Sequence, residues 1–161
     1  MKRIAISCVG ALILSTAGLY AQQPVAEAAC NNETLKGSFG VTVIGAAPAS
    51  SVLPSFPSGL FPVGTIEQIL GIVVHTFDGN GKFTQIDNLK GYLSGIAFDR
   101  PGSGTYNVNA DCSGIYSIFI PGLSTPVVEV RFVIVDGGKE FRGVVVTPKE
   151  AMTIANGRKM H

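Results

Sequence analysis

The stretch Val127 to Pro148, VVEVRFVIVDGGKEFRGVVVTP, constrains the fold more than any other part of the chain. Two runs of β-branched and aromatic residues flank Asp136-Gly137-Gly138-Lys139. Asp-Gly and Gly-Gly supply the positive φ angles that a tight hairpin needs, so the stretch predicts a long antiparallel hairpin. The sequence upstream repeats the same pattern of short strand, glycine-rich turn, short strand.

Leu35 to Ala46 (LKGSFGVTVIGA) alternates, with Leu35, Phe39, Val41 and Val43 on one face and Lys36, Ser38 and Thr42 on the other, which predicts a half-buried strand. Ile66 to Phe77 is apolar on both faces. Asp78-Gly79-Asn80-Gly81 then turns the chain into Lys82 to Asn88. This DGNG resembles the start of a calcium loop, but Lys82 stands where an oxygen ligand belongs and no Glu closes the loop, so a hairpin turn is the better reading. Leu89 to Arg100 is weakly patterned, a poor strand. Gly102 to Asn109, Ile115 to Ile120, the hairpin and Ala151 to Met160 complete the set. With turns every 8–12 residues and no amphipathic helix, the pattern predicts one all-β domain over 35–161. The expected architecture is an antiparallel up-and-down barrel of about eight strands, with a β-sandwich as the alternative.

Residues 47–65, APASSVLPSFPSGLFPVGT, hold Pro48, Pro54, Pro57 and Pro62 and can form neither a helix nor a central strand. They also carry Phe56 and Phe61. Such an apolar loop reads as a flap over one barrel end or edge, or as a ligand lid or contact surface. Apolar residues on both faces of Ile69–Val74, Ile115–Ile120 and Val127–Val135 imply that something covers the outside, and a homo-oligomer is expected.

Lys2 and Arg3 precede an uncharged apolar run from Ile4 to Leu19, and small residues follow. This reads as a signal peptide over 1–21, with cleavage as late as 28 by the Ala26-x-Ala28 pattern, and then a flexible leader over 22–34. The run is short for a span of about 20 residues, so no transmembrane segment is expected in the mature chain. The expected location is secreted or periplasmic. Without Lys2 and Arg3 the basic residues fall from 12 to 10 against 11 acids, and no basic stripe remains for a nucleic acid. Hydrophobic residues make up 46% of the chain and charged ones 14%, the reverse of a disordered protein. Cys8 leaves with the signal. Cys30 and Cys112 remain as a pair in an oxidising compartment, where a disulfide is expected. Closing their 82-residue separation constrains the unfolded chain by about 4–5 kcal/mol.

Catalytic groupings are hard to assemble from this sequence. His75 is the one histidine before the terminal His161, and no G-x-S-x-G elbow exists to pair with it. It shares a strand face with Val73 and Phe77, which suits a structural histidine. One histidine and a bridged cysteine pair cannot hold zinc. Gly102-x-Gly104 opens a strand and lacks the helix N-terminus that holds phosphate. No cofactor is expected. The ligand-binding candidates are His75, Glu129, Arg131, Tyr106, Phe56 and Phe61, with Glu67 and Tyr92 beside them. Glu129 and Arg131 would anchor a ligand if their face pointed inward. Val128, Val130, Phe132 and Ile134 form the cleaner core face, so the pair is expected outside.

At FDGNGKF (77–83), GTYNVNADCSG (104–114) and VDGGKEF (135–141) the chain resembles a family of small secreted bacterial β-proteins sharing FDGxG, GxYxVNxDCxG and DGGKEF segments. The resemblance implies a secreted compartment and a barrel, and no activity. More distantly, the strand pattern is similar to allene oxide cyclase-like and lipocalin-like barrels, which is likeness of architecture alone. Two functions are therefore expected. One is a non-enzymatic binding or structural module holding an apolar small ligand. The other is a cyclase or isomerase confining an apolar substrate in the same interior.

Overall fold

A computed structural model describes residues 29–49, 61–62, 64–119, 121 and 124–161. Eight strands run in chain order: β1 Gly37–Pro48, β2 Ile66–Phe77, β3 Lys82–Gly91, β4 Gly95–Val108, β5 Ser113–Phe119, β6 Val128–Val135, β7 Glu140–Thr147 and β8 Met152–Lys159. Each pairs antiparallel with the next, and β8 pairs with β1, so the sheet closes into an up-and-down barrel. The expected fold is observed. The signal segment and Phe56 lie outside the described residues, as does most of the proline-rich stretch. Among the described residues no helix is long and apolar enough to cross a membrane.

The turns form where the sequence supplies left-handed backbone. Asp136, Gly137 and Gly138 have φ of 51, 60 and 89° between β6 and β7. At the β2–β3 turn Gly79 and Gly81 have φ of 85 and 98°. There the Asp78 carboxylate accepts the amides of Asn80 (2.7 Å) and Lys82 (3.0 Å), so it works as a turn brace.

One end of the barrel is filled. Inward-facing Phe39, Phe77, Phe83, Tyr106, Tyr116, Phe132 and Phe141 pack there, with Phe77 at 5.5 Å from Phe39 and 4.9 Å from Tyr106 between ring centroids. So many rings fit because glycines face them. Phe83 lies opposite Gly104, Phe132 opposite Gly114 and Phe141 opposite Gly157. A Cβ at any of these glycines would collide with the ring across from it.

A short 3-10 turn, Asn32–Leu35, seals this end, with Leu35 fully buried against the rings. The Cys30–Cys112 disulfide ties the turn down. Asn32 reinforces it: its Oδ1 accepts the Val108 amide at 2.8 Å and its carbonyl accepts the Tyr106 hydroxyl at 3.1 Å. The part of the expected leader that is described is thus held against the barrel. Strand β4 is longer than the weak patterning of Leu89 to Arg100 suggested. A bulge interrupts its pairing with β3: Asp87 faces Arg100 and Leu89 faces Ala97, with one extra residue on β4. Replacing Gly157 with Ala should force the Phe141 ring out of place and destabilise the barrel by about 1–3 kcal/mol, read as a lower urea midpoint with an unchanged m-value.

Candidate functional site

At the other end the described residues leave a cavity. Inward positions there carry small or branched side chains, Val41, Val43, Ala47, Ile69, Val73, Ala151 and Ala155 among them. They surround a cavity of about 80 Å3 at the end where β1 finishes and β2 begins. There the Ala49 amide donates to the Thr65 carbonyl at 3.0 Å.

One wall of the cavity is polar. His75 on β2 and Gln85 and Asp87 on β3 point inward and are buried. Arg100 on β4 joins them by ordinary alternation: it lies directly opposite Asp87 and shares its face with Gly102, Gly104 and Tyr106. Beyond Asp87 and Arg100 the bulge shifts the pleat, so that Ala97 is buried and Phe98 is exposed; Asp99 there takes a φ of 47° and its amide donates to Asn88 Oδ1 at 3.1 Å. Arg100 then forks onto Asp87, with Nε at 3.0 Å from Oδ1 and Nη2 at 3.1 Å from Oδ2. Gln85 Nε2 donates to the same carboxylate at 3.0 Å. The wall is therefore an ordered network from Gln85 through Asp87 to Arg100.

His75 stands beside this network and outside it. It is 1% exposed and packs against Phe77, Phe83 and Tyr116, at 4.9 Å between centroids from Phe83. Burial lowers its pKa from 6.5 to about 4, and the nearby Gln85 side chain opposes that only in part. The imidazole is neutral at ordinary pH. Gln85 faces it across the β2–β3 ladder, and its side chain is the polar neighbour of the imidazole. Burial also pushes the Tyr116 hydroxyl, on the facing side of the interior, well above its usual range.

The remaining sequence candidates lie elsewhere. Glu129 and Arg131 point outward, as their strand pattern indicated, and Glu129 accepts hydroxyls from Ser117 (3.3 Å) and Thr147 (2.8 Å) on the outer surface. Tyr106 belongs to the filled end, where its hydroxyl accepts the Gly79 amide at 2.9 Å. Glu67 is buried at the open end, but its carboxylate holds the β3–β4 turn through the amides of Leu93 and Ser94 and the Ser94 hydroxyl. Tyr92 is exposed on that turn, and Phe61 is half-buried away from the cavity lining. Of the candidates among the described residues, the structure brings His75 alone to the cavity. Gln85, Asp87 and Arg100 were missed. The available signal was the inward period of β3, where Gln85 and Asp87 follow Phe83 in positions that a filled barrel would give to apolar residues.

No protein-family profile, no curated protein and no solved structure matches this chain. The fold and the site define its class: an eight-stranded up-and-down barrel with one end packed solid and a small, one-sided polar cavity at the other.

Because folded His75 resists protonation, the unfolded chain binds more protons between about pH 6.5 and about pH 4, and stability falls as pH drops through that window. The full loss is about 3 kcal/mol. Urea unfolding of His75→Leu should show a pH slope smaller by that amount over this range, and an unchanged slope would mean that the imidazole titrates freely.

Proposed function

We propose that this chain is a secreted, non-enzymatic binding barrel that holds a small, largely apolar ligand in the open half of its interior. The observation that carries the reading is the lining of the cavity: an apolar surface with a few convergent polar groups on one wall. That is the usual constitution of a ligand site. Asp87 accepts from both Gln85 and Arg100, an arrangement that fixes a wall and suits holding a ligand. The Cys30–Cys112 bridge and the apolar run 4–19 support secretion, since disulfides persist in oxidising compartments.

A second reading, a cyclase or isomerase, draws support from His75. Its imidazole is unprotonated at ordinary pH and faces an apolar chamber, although burial that lowers its pKa also makes it a weak base.

Self-association belongs to the same proposal. Outward-facing Leu70 and Ile72 are 57% and 67% exposed. Ile44 lies between Leu70 and Ile154 across the ladders, and Ile154 faces Val144, so one apolar row crosses β7, β8, β1 and β2.

Native mass spectrometry of the mature protein from its own host tests all of this at once. The expected result is a small molecule lost on denaturation and a mass of more than one chain. Release of a product that differs from the added ligand would favour the enzyme reading. A bare barrel that takes up no small apolar compound would overturn the binding reading, and a single-chain mass at all concentrations would overturn self-association.

A further inference from the structure

The bulge in the β3–β4 ladder turns a phenylalanine out of the barrel. Asp87 pairs with Arg100 and Leu89 with Ala97, so Phe98 and Asp99 together face Asn88. Plain alternation from Arg100 would place Phe98 inside and Ala97 outside. The extra residue reverses them: Ala97 is buried and Phe98 is 73% exposed. The backbone that does this is unusual for a residue with a side chain, because Asp99 sits at a φ of 47°. Asn88 secures it, accepting the Asp99 amide at 3.1 Å and donating to the Asp99 carboxylate at 3.5 Å. A left-handed residue and two hydrogen bonds therefore hold a large ring in water, where its apolar surface gains nothing for an isolated barrel.

Phe98 stands beside an uncharged face. The outward positions of β1 and β2 carry no acidic or basic residue from Ser38 to Pro48 or from Ile66 to Thr76. Leu70, Ile72 and Val74 form a ridge along β2, with Ile44 paired to Leu70 on one side and Ile86 paired to Val74 on the other. A shallow groove of about 430 Å3 crosses the face, lined by Thr42, Ile44, Leu70, Ile72 and Ile96 and bounded by Phe98 itself. Charge is confined to the margins, with Lys90 and Asp99 on the side of β4 and Arg158 near the end of β8. The exposed apolar side chains of this face present roughly 700 Å2 to solvent. The largest apolar patch on a typical monomer is about 300–600 Å2, and each partner in a stable protein interface contributes about 800 Å2.

We infer that two copies of this chain pair through the outer faces of β1 to β4, with the Phe98 ring of each seated in the groove of its partner. The inference rests on the self-association proposed above and gives it a face, an anchor and a two-fold symmetry. Each copy carries both ring and groove on one face, so the face is self-complementary, which a two-fold interface requires. Its uncharged centre and charged margins have the anatomy of a protein interface, and an aromatic ring entering a groove is the usual anchor of one. Two such faces meet without burying an unpaired charge. A lipid surface would call for basic side chains around the patch, whereas here Asp99 stands on the same margin as Lys90.

Sedimentation equilibrium of the mature protein, with Phe98→Glu and Val133→Glu beside it, tests the face. Val133 is also an exposed apolar residue, but it lies on β6, away from these strands. The expected result is a two-chain mass for the native protein, a dissociation constant raised at least about thirtyfold by Phe98→Glu, and no change with Val133→Glu. In a sample mixing isotope-labelled and unlabelled chains, nuclear Overhauser contacts should join the Phe98 ring of one copy to the Leu70 and Ile72 methyls of the other. That measurement uses the native sequence and decides the matter should Phe98→Glu not fold. A two-chain mass that Phe98→Glu leaves unchanged would overturn this face while self-association stands. A three-chain mass would overturn the two-fold pairing, and a single-chain mass at all concentrations would overturn self-association as well. Binding of such a monomer to phosphatidylcholine vesicles, lost in Phe98→Glu, would assign the face to a lipid surface instead. Contacts of Phe98 with residues 50–63 of its own chain would assign it to an intramolecular cover and overturn the pairing.

Discussion

The aromatic rings laid over cross-strand glycines fix the geometry of this barrel. An eight-stranded barrel has an interior just wide enough for side chains to fill. Placing Phe39, Phe77, Phe83, Tyr116, Phe132 and Phe141 on one level would overfill it if every facing residue carried a Cβ. Gly104, Gly114 and Gly157 remove that volume opposite three of the rings. The rings then cover backbone that glycine would otherwise leave bare, which offsets the weakness of glycine in a strand. Because this layer consumes the bulky residues, the level above it is left with Val, Ala and Ile, and a cavity follows from the arithmetic of side-chain volume.

The polar wall is hard to account for on stability alone. A buried carboxylate loses several kcal/mol of hydration, and its partner returns that only when the geometry is good. Asp87 meets the condition through a forked arginine and a glutamine amide. A barrel seeking stability alone would gain as much from apolar side chains of similar volume. Arg100 needs no irregularity to reach it, because the β3–β4 register runs unbroken from Lys82 to Asp87 and sets Arg100 directly opposite the carboxylate. The bulge begins beyond that pair, and there Ala97 is buried and Phe98 exposed. The polar network is thus built on regular pairing, and it faces the cavity.

The strands and turns were legible in the sequence because each is a local fact. Asp136-Gly137-Gly138 and Asp78-Gly79-Asn80-Gly81 announce their left-handed backbone, and alternation in Leu35 to Ala46 announces a half-buried strand. The cysteine pair was legible from compartment and count. The outward direction of Glu129 and Arg131 followed from their neighbours in β6. The cavity wall was not legible. Its members come together only when β3 pairs with β4 and sets Arg100 opposite Asp87, a partnership that the period of either strand alone does not encode. Glu67 and Tyr106 drew attention as polar groups in apolar strands. Their roles, bracing one turn and sealing one end, depend on which partners closure of the barrel brings to them.

Strand β3 shows why the polar wall needs the rest of the fold. Its own pattern gives weak instructions about which face belongs inside: a slip of one residue would bury Ile86 and send Gln85 and Asp87 to solvent, a change that the hydrophobic effect favours. Two features oppose the slip. The Asp78 carboxylate and the positive φ of Gly79 and Gly81 set the length of the β2–β3 turn. Phe77 and Phe83, directly opposed across that turn with ring centroids 5.2 Å apart, must both enter the aromatic layer or both leave it. The cost of pulling Phe83 out of that layer exceeds what burying Ile86 returns, since a large ring would leave a void among its neighbours. The filled end thus holds β3 in a register that its open-end residues would not choose, and the same packing that empties the upper cavity delivers Gln85 and Asp87 to its wall.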